Sequence, residues 1–126
     1  MPTLYIVGTP IGNLEDLTPR AARILGEVSL VAAEDTRVSR RLLSHLGIRP
    51  RTTSFHRHNW QRKLDGVLAE LVQGDVALVT DAGMPGISDP GSELVVAAAQ
   101  AGFKVEVVPG PSAVTAALAL SGFSGD

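Results

Sequence analysis

The sequence predicts an α/β domain, a five-stranded, mostly parallel sheet with helices on both faces. Two observations predict it. Short apolar runs alternate with helical patterns five times along the 126 residues. In addition, three Gly/Pro-rich loops each follow an apolar run and precede a helical pattern. They are Gly8-Thr9-Pro10-Ile11-Gly12-Asn13, the segment 81–91, and Pro109-Gly110-Pro111-Ser112. In an open parallel sheet such loops gather at the carboxyl ends of the strands, where ligands bind.

Each element has its own local reason. Residues 3–7 (TLYIV) read as a buried first strand. Thr18 followed by Pro19 marks a helix start, hydroxyl as N-cap and proline at the first helical position, and Ala21, Ala22, Ile24 and Leu25 continue it towards Gly26. Residues 29–33 form a second short strand, closed by the polar cluster Glu34-Asp35-Thr36-Arg37. Over 37–46 the apolar groups recur at Val38, Leu42, Leu43 and Leu46, with Gly47 as a stop; at 100° per residue Arg37, Arg41 and Ser44 face away from that stripe. Residues 52–55 are a weaker strand. A helix over 60–73 follows, with Asn59 as its cap, Leu64, Val67, Leu68 and Leu71 inward, and Gly74 at its end. The run 76–80 is the clearest strand, 92–101 a helix ended by Gly102, 104–108 the fifth strand, and 112–120 a last, Ala-rich helix.

Size and composition bound the function classes. The chain fits one domain that can bury roughly two-thirds of its unfolded surface. A hydrophobic fraction of 44% with 19% charged residues describes a globular protein, not a disordered one. No apolar run approaches the ~20 residues of a membrane span, and no signal peptide opens the chain, so a cytoplasmic protein is expected. With no cysteine there is no thiolate nucleophile and no thiolate metal site. The net charge of −2 conceals an asymmetry: eight cations (Arg37, Arg40, Arg41, Arg49, Arg51, Arg57, Arg62, Lys63) and three histidines lie between residues 37 and 63, with no carboxylate among them. That block suits either a polyanion-facing surface or a solvated arginine-rich helix face.

The motifs narrow the chemistry. Gly8-x-x-x-Gly12 is neither a GxGxxG fingerprint nor a phosphate loop ending in GK[ST], which argues against a plain dinucleotide-binding fold even though Glu34 stands where a ribose-gripping acid would. The amides opening the helix after Pro109-Gly110-Pro111, with the Ser112 hydroxyl, suit a carboxylate, phosphate or ribose oxygen, and Ser112 also suits a plain cap. His56-x-His58 lacks a nearby Cys or carboxylate and stands among cations, so no metal site is expected. Contacts to a phosphate backbone fit His56, His58 and Asn59 better. Trp60, the only tryptophan, suits either core packing or base stacking.

Taken together, these segments resemble one family. The run Tyr5-Ile6-Val7-Gly8-Thr9-Pro10-Ile11-Gly12-Asn13-Leu14 is similar to the start of the small-subunit ribosomal RNA (cytidine-2′-O)-methyltransferases, of the tetrapyrrole-methylase (class III) superfamily. So are Ala33-Glu34-Asp35-Thr36-Arg37, Ser54-Phe55-His56-x-His58-Asn59, Thr80-Asp81-Ala82-Gly83-Met84-Pro85-Gly86-Ile87-Ser88-Asp89-Pro90-Gly91 and Val108-Pro109-Gly110-Pro111-Ser112-Ala113. The loop at 81–91 and the Glu-Asp-Thr-Arg motif resemble the RNA-modifying branch; corrin and porphyrin methylases usually carry Gly-Asp-Pro where this chain has Asp-Ala-Gly.

The resemblance implies methyl transfer from S-adenosylmethionine to a ribose 2′-hydroxyl of a cytidine in small-subunit rRNA, without a metal. It also implies that residues 1–126 are an N-terminal domain, followed in family members by a second α/β domain across a cofactor cleft, and that such proteins pair as homodimers. By the same resemblance Asp81, Ala82, Gly83, Gly86 and Ser88 hold the cofactor largely through backbone groups, Ser112 and Ala113 contact it, and Pro10 walls the pocket. Asp35 is the candidate base or ribose-orienting group and Glu34 the other candidate, although a carboxylate beside Arg37 also suits ordering the loop by an ion pair. Arg37, Arg41 and Arg57 would neutralise RNA phosphates. The rival readings are a tetrapyrrole or protein methyltransferase and a non-catalytic RNA- or nucleotide-binding module.

Overall fold

The structure, a computed structural model, describes residues 2–9, 14–79 and 91–110. It contains five strands, β1 (Thr3–Val7), β2 (Leu30–Ala33), β3 (Thr52–Ser54), β4 (Val76–Val79) and β5 (Lys104–Val108). Between them lie α1 (Pro19–Glu27), α2 (Thr36–His45), α3 (Trp60–Gln73) and α4 (Gly91–Gln100), with a short 3₁₀ turn at Leu14–Asp16. The expected helix over 112–120 falls outside the described residues.

All strands pair in parallel, in the order β3-β2-β4-β1-β5. β1 lies between β4 and β5, with Leu4, Tyr5 and Ile6 opposite Val76, Ala77 and Leu78, and with Tyr5 and Val7 opposite Glu106 and Val108 on its other side. The strands buried on both faces, β2 (LVAA) and β4 (VALV), are continuous apolar runs. The edges are treated differently. β3 is only Thr52-Thr53-Ser54, and β5 carries Lys104 and Glu106, which discourages pairing with another chain.

Strand alternation divides the apolar residues between two cores. Val7, Val31, Ala33, Ala77, Val79 and Val108 pack with Ile24 and Leu25 of α1 and Leu42 and Leu43 of α2. Leu4, Ile6, Leu30, Ala32, Val76 and Leu78 pack with Val67 and Leu71 of α3 and Leu94 and Ala98 of α4. Helices therefore cover both faces, as the patterning predicts. Trp60 is half-buried against the second core, so its ring packs, at least in part, rather than standing free.

The helix ends follow local chemistry. The Thr18 hydroxyl accepts a hydrogen bond from the Ala21 amide at 3.1 Å, with Pro19 at the first helical position. α1 passes through Gly26 to Glu27 and stops at an extended Val28. α2 stops at Gly47, whose φ of 73° lies in the left-handed region and turns the Ile48 amide back onto the Leu43 carbonyl at 3.0 Å. Asn59 occupies the N-cap position of α3 but makes no side-chain capping bond, a departure from the sequence expectation. No helix among the described residues is long and apolar enough to cross a membrane.

Candidate functional site

Because every strand is parallel, the segments that leave them meet at one edge: Gly8-Thr9 after β1, Glu34-Asp35 after β2, Phe55-His56 after β3 and Pro109-Gly110 after β5. β1 leads to α1 on one face and its neighbour β4 leads to α4 on the other. Adjacent strands whose chains diverge to opposite faces open a crevice beyond their carboxyl ends, the usual ligand position in such sheets.

Two of the three glycine/proline loops touch there. The Gly8 amide donates to the Val108 carbonyl at 3.1 Å, and a Cβ placed on Gly110 would lie 2.9 Å from the Cα, carbonyl carbon and oxygen of Gly8. Backbone thus packs on backbone, beside a buried Thr9. Pro10, Asp81, Ala82, Gly83, Gly86, Ser88, Ser112 and Ala113 lie outside the described residues.

The acidic motif closes β2 and opens α2. Asp35 is the N-cap of α2: its Oδ1 accepts from the Arg37 amide at 2.9 Å and from Arg37 Nε at 3.3 Å, and its Oδ2 lies 3.2 Å from Arg37 Nη2. The Arg37 guanidinium, and after it the Arg37 backbone N–H, hold the Asp35 carboxyl below its ordinary value, and Asp35 raises Arg37 in turn. A depressed carboxylate is a poorer proton acceptor, so this geometry suits orienting and loop ordering better than general base catalysis. Glu34 is exposed at the bend between β2 and Asp35.

The histidine motif folds into a braced turn. The Phe55 amide donates to the Ala33 carbonyl at 2.7 Å, holding the end of β3 against the end of β2. Asn59 Oδ1 accepts from the His56 amide at 2.8 Å, and Asn59 Nδ2 donates to Ser54 Oγ at 2.9 Å. Asn59 is 5% exposed, so its amide is spent within the turn and not offered to a phosphate. This moves Asn59 from expected RNA contact to brace. His56 Nδ1 accepts from the His58 amide at 3.1 Å, which places the proton of a neutral ring on Nε2, and the two rings meet edge to face at 5.9 Å. Arg57 and His58 are exposed on the same turn, while His56 is half-buried.

The basic block divides in the fold. Arg37 pairs with Asp35, Lys63 donates to Thr53 Oγ1 at 3.0 Å, and Arg51 forms a two-pronged pair with Glu70 at 2.7 and 3.1 Å. Glu70 comes from α3, beyond the block, so a tertiary contact neutralises a cation that the sequence leaves alone. Arg41 and Arg57 remain exposed. Ser39 was passed over by sequence reasoning: it lies on the Leu42–Leu43 face of α2, 4% exposed, and its hydroxyl has no hydrogen-bond partner among the described residues. Its signal is a polar residue three and four positions before two core leucines.

Comparison with known proteins places the chain. The profile of the family described as Tetrapyrrole (Corrin/Porphyrin) Methylases matches residues 3–126. The ribosomal RNA small subunit methyltransferase I of Xylella fastidiosa is 53% identical over 121 residues, covering 95% of this chain and 44% of that protein. The protein of the same name from Thermotoga maritima is 51% identical over 126 residues, 99% of this chain and 57% of that one. The chain therefore spans about half the length of the curated relatives it matches. Among solved structures, diphthine synthase superposes with a TM-score of 0.77 at 19% identity, over 97% of this chain and 49% of that chain, a likeness of fold.

Proposed function

Because the chain belongs to the tetrapyrrole (corrin/porphyrin) methylase family, we propose that it is the N-terminal half of an enzyme that methylates the ribose 2′-hydroxyl of a cytidine in small-subunit ribosomal RNA. The observation that carries this reading is the identity of 50% or more to proteins named ribosomal RNA small subunit methyltransferase I, along 95–99% of the chain. The exposed Arg41 and Arg57 agree with a polyanionic substrate.

In this reading S-adenosylmethionine supplies an electrophilic methyl group when bound. Gly8 and Gly110, packed backbone on backbone with no side chain between them, would wall the crevice on its β1/β5 side. The loop 81–91 and Ser112-Ala113 would hold the ligand through backbone groups, with Pro10 as a wall. A second α/β domain in the complete protein would close the crevice from above, and two complete proteins would pair.

The chain's own groups then have distinct tasks. Asp35, locked to Arg37, orients the loop and the acceptor ribose. Glu34, exposed at the bend beside it, is the other candidate proton acceptor. Arg41 and Arg57 hold phosphates, which positions the strand but reads no sequence. His56, through its Nε2–H, adds a hydrogen-bond donor on the braced turn. Holding the hydroxyl in line with the methyl group supplies much of the acceleration expected of such a transfer.

The test is nucleoside mass spectrometry of small-subunit rRNA from cells with and without the complete gene, with complementation by the 126-residue chain. Loss of one 2′-O-methylated cytidine on deletion supports the proposal. Failure of the short chain to restore it supports the need for a second domain. An unchanged rRNA profile sinks the RNA-ribose assignment.

A further inference from the structure

A second cationic feature lies away from the carboxyl edge. Between α2 and the edge strand β3 is a cavity of about 300 Å³, within the range of ligand pockets, lined by Arg40, Ser44, Arg49 and Thr52 over an apolar floor that includes Leu43 and Ile48. Three other members of the basic block, Arg37, Arg51 and Lys63, are engaged by Asp35, Glu70 and Thr53. Arg40 and Arg49 are exposed and make no ion pair among the described residues, and no carboxylate lines their cavity. Two guanidiniums left without counter-charge on one concave surface constitute an anion site: each fork matches phosphate oxygens two at a time.

The surroundings leave that charge intact. The carboxyl end of α2 points its carbonyls towards this region, but a helix end carries only about half a negative charge against two full positive ones. His45 nearby adds no acid. The apolar floor excludes water from one side, which strengthens the attraction and offers a surface to a sugar or base.

We propose that this cavity binds a backbone phosphate of the RNA strand, outside the reacting crevice. The seven helical steps of α2 from Arg37 to Ser44 span about 10 Å, so a strand engaged at the carboxyl edge reaches the cavity within a few nucleotides. The assignment rests on the RNA reading above for its source of phosphate, and on Arg40 and Arg49 for its chemistry.

The experiment titrates the isotopically labelled chain with a short single-stranded oligoribonucleotide and, in parallel, with inorganic phosphate. It reads the Ser44 and Thr52 amides and the Arg40 and Arg49 side-chain N–H signals by NMR, and the affinity by fluorescence anisotropy against salt. The expected result is saturable shifts at these four residues with the oligonucleotide, at far lower concentration than with phosphate. In R40Q/R49Q affinity should fall on the order of tenfold, and the slope of log affinity against log salt should fall by about 0.7 for each phosphate released. R40K/R49K, which keeps the charge and loses the fork, should retain most of the slope. Unmoved signals, unchanged affinity in R40Q/R49Q, or shifts that inorganic phosphate reproduces at the same concentration would each overturn the proposal. Failure of the methyl-transfer reading would appear elsewhere, as rRNA left unmodified in the nucleoside analysis, and would leave a measured RNA contact at this cavity standing.

Discussion

Gly110 rests on Gly8 with no room for a side chain: a Cβ on Gly110 would stand 2.9 Å from three backbone atoms of Gly8. The obstruction is backbone, anchored by the Gly8 amide on the Val108 carbonyl, so it cannot be relieved by a rotamer change. G110A is therefore expected to destabilise the chain by about 1–3 kcal/mol, as overpacking does, and to weaken S-adenosylmethionine binding by separating the two loops. Urea unfolding and calorimetric titration of the complete protein check both. Gly66 is the control. It lies inside α3 with nothing within 4 Å of a built Cβ, so G66A should stabilise by up to about 1 kcal/mol through helix propensity.

The acid limb of the stability curve should carry the signatures of Asp35 and Glu70. Both carboxyls are held below their ordinary values in the fold, Asp35 first by its side-chain bond to Arg37 and Glu70 first by its bond to Arg51. A depressed folded value contributes stability that is present above the unfolded value and is lost as pH falls through the folded one. D35N/E70Q should thus flatten the fall in stability as the pH drops below the ordinary carboxyl values of 3.8 and 4.5, and added salt should narrow the difference because both pairs are exposed. Asparagine still caps a helix, so D35N should leave α2 intact near neutral pH where D35A frays it. Thermal melts across pH, with circular dichroism as the readout, decide this. A wild-type limb unchanged by the double substitution would show that neither pair is formed in solution.

Much of the fold was legible in the sequence, and for physical reasons. The continuous apolar runs LVAA and VALV announce strands buried on both faces, Thr18-Pro19 announces a helix start, and Gly47 ends α2 with the positive φ that its place after Leu46 implies. The site was legible only in part. Glu70 lies nineteen residues from Arg51, so no local pattern foretells their pair. Asn59 reads as a cap from its position before Trp60, yet the nearby His56 amide and Ser54 hydroxyl claim its side chain. Which arginines stay unpaired is likewise a property of the folded surface.

Ser39 should be replaceable with a gain in stability. Its hydroxyl is buried in the α2 interface without a partner among the described residues, and an unsatisfied buried polar group costs about 1–3 kcal/mol. S39A removes that group and favours the helix, so the melting temperature should rise, with about 1 kcal/mol as the expected scale. Ligand titrations of the same variant separate two origins of the orphan hydroxyl. Unchanged binding leaves a packing compromise, whereas a loss of affinity despite higher stability would make Ser39 a positioning group beneath the Asp35 loop.

Asn59 and Arg57 stand two residues apart in one turn and should fail in opposite ways. N59A leaves the His56 amide and the Ser54 hydroxyl without their partner in a half-buried site, which should cost about 1–3 kcal/mol. It should also let the turn move, so RNA affinity falls as a consequence of lost order. R57Q removes an exposed charge that braces nothing within the described residues, so stability should stay within about 0.5 kcal/mol. Its effect should appear as weaker RNA binding with a salt slope lowered by about 0.7, and R41Q should behave alike. Denaturant melts and anisotropy titrations on the three variants give the discriminating pattern. If R57Q and R41Q bind RNA with unchanged salt dependence, the phosphates lie elsewhere, and the basic flank of α2 and this turn is only a solvated surface.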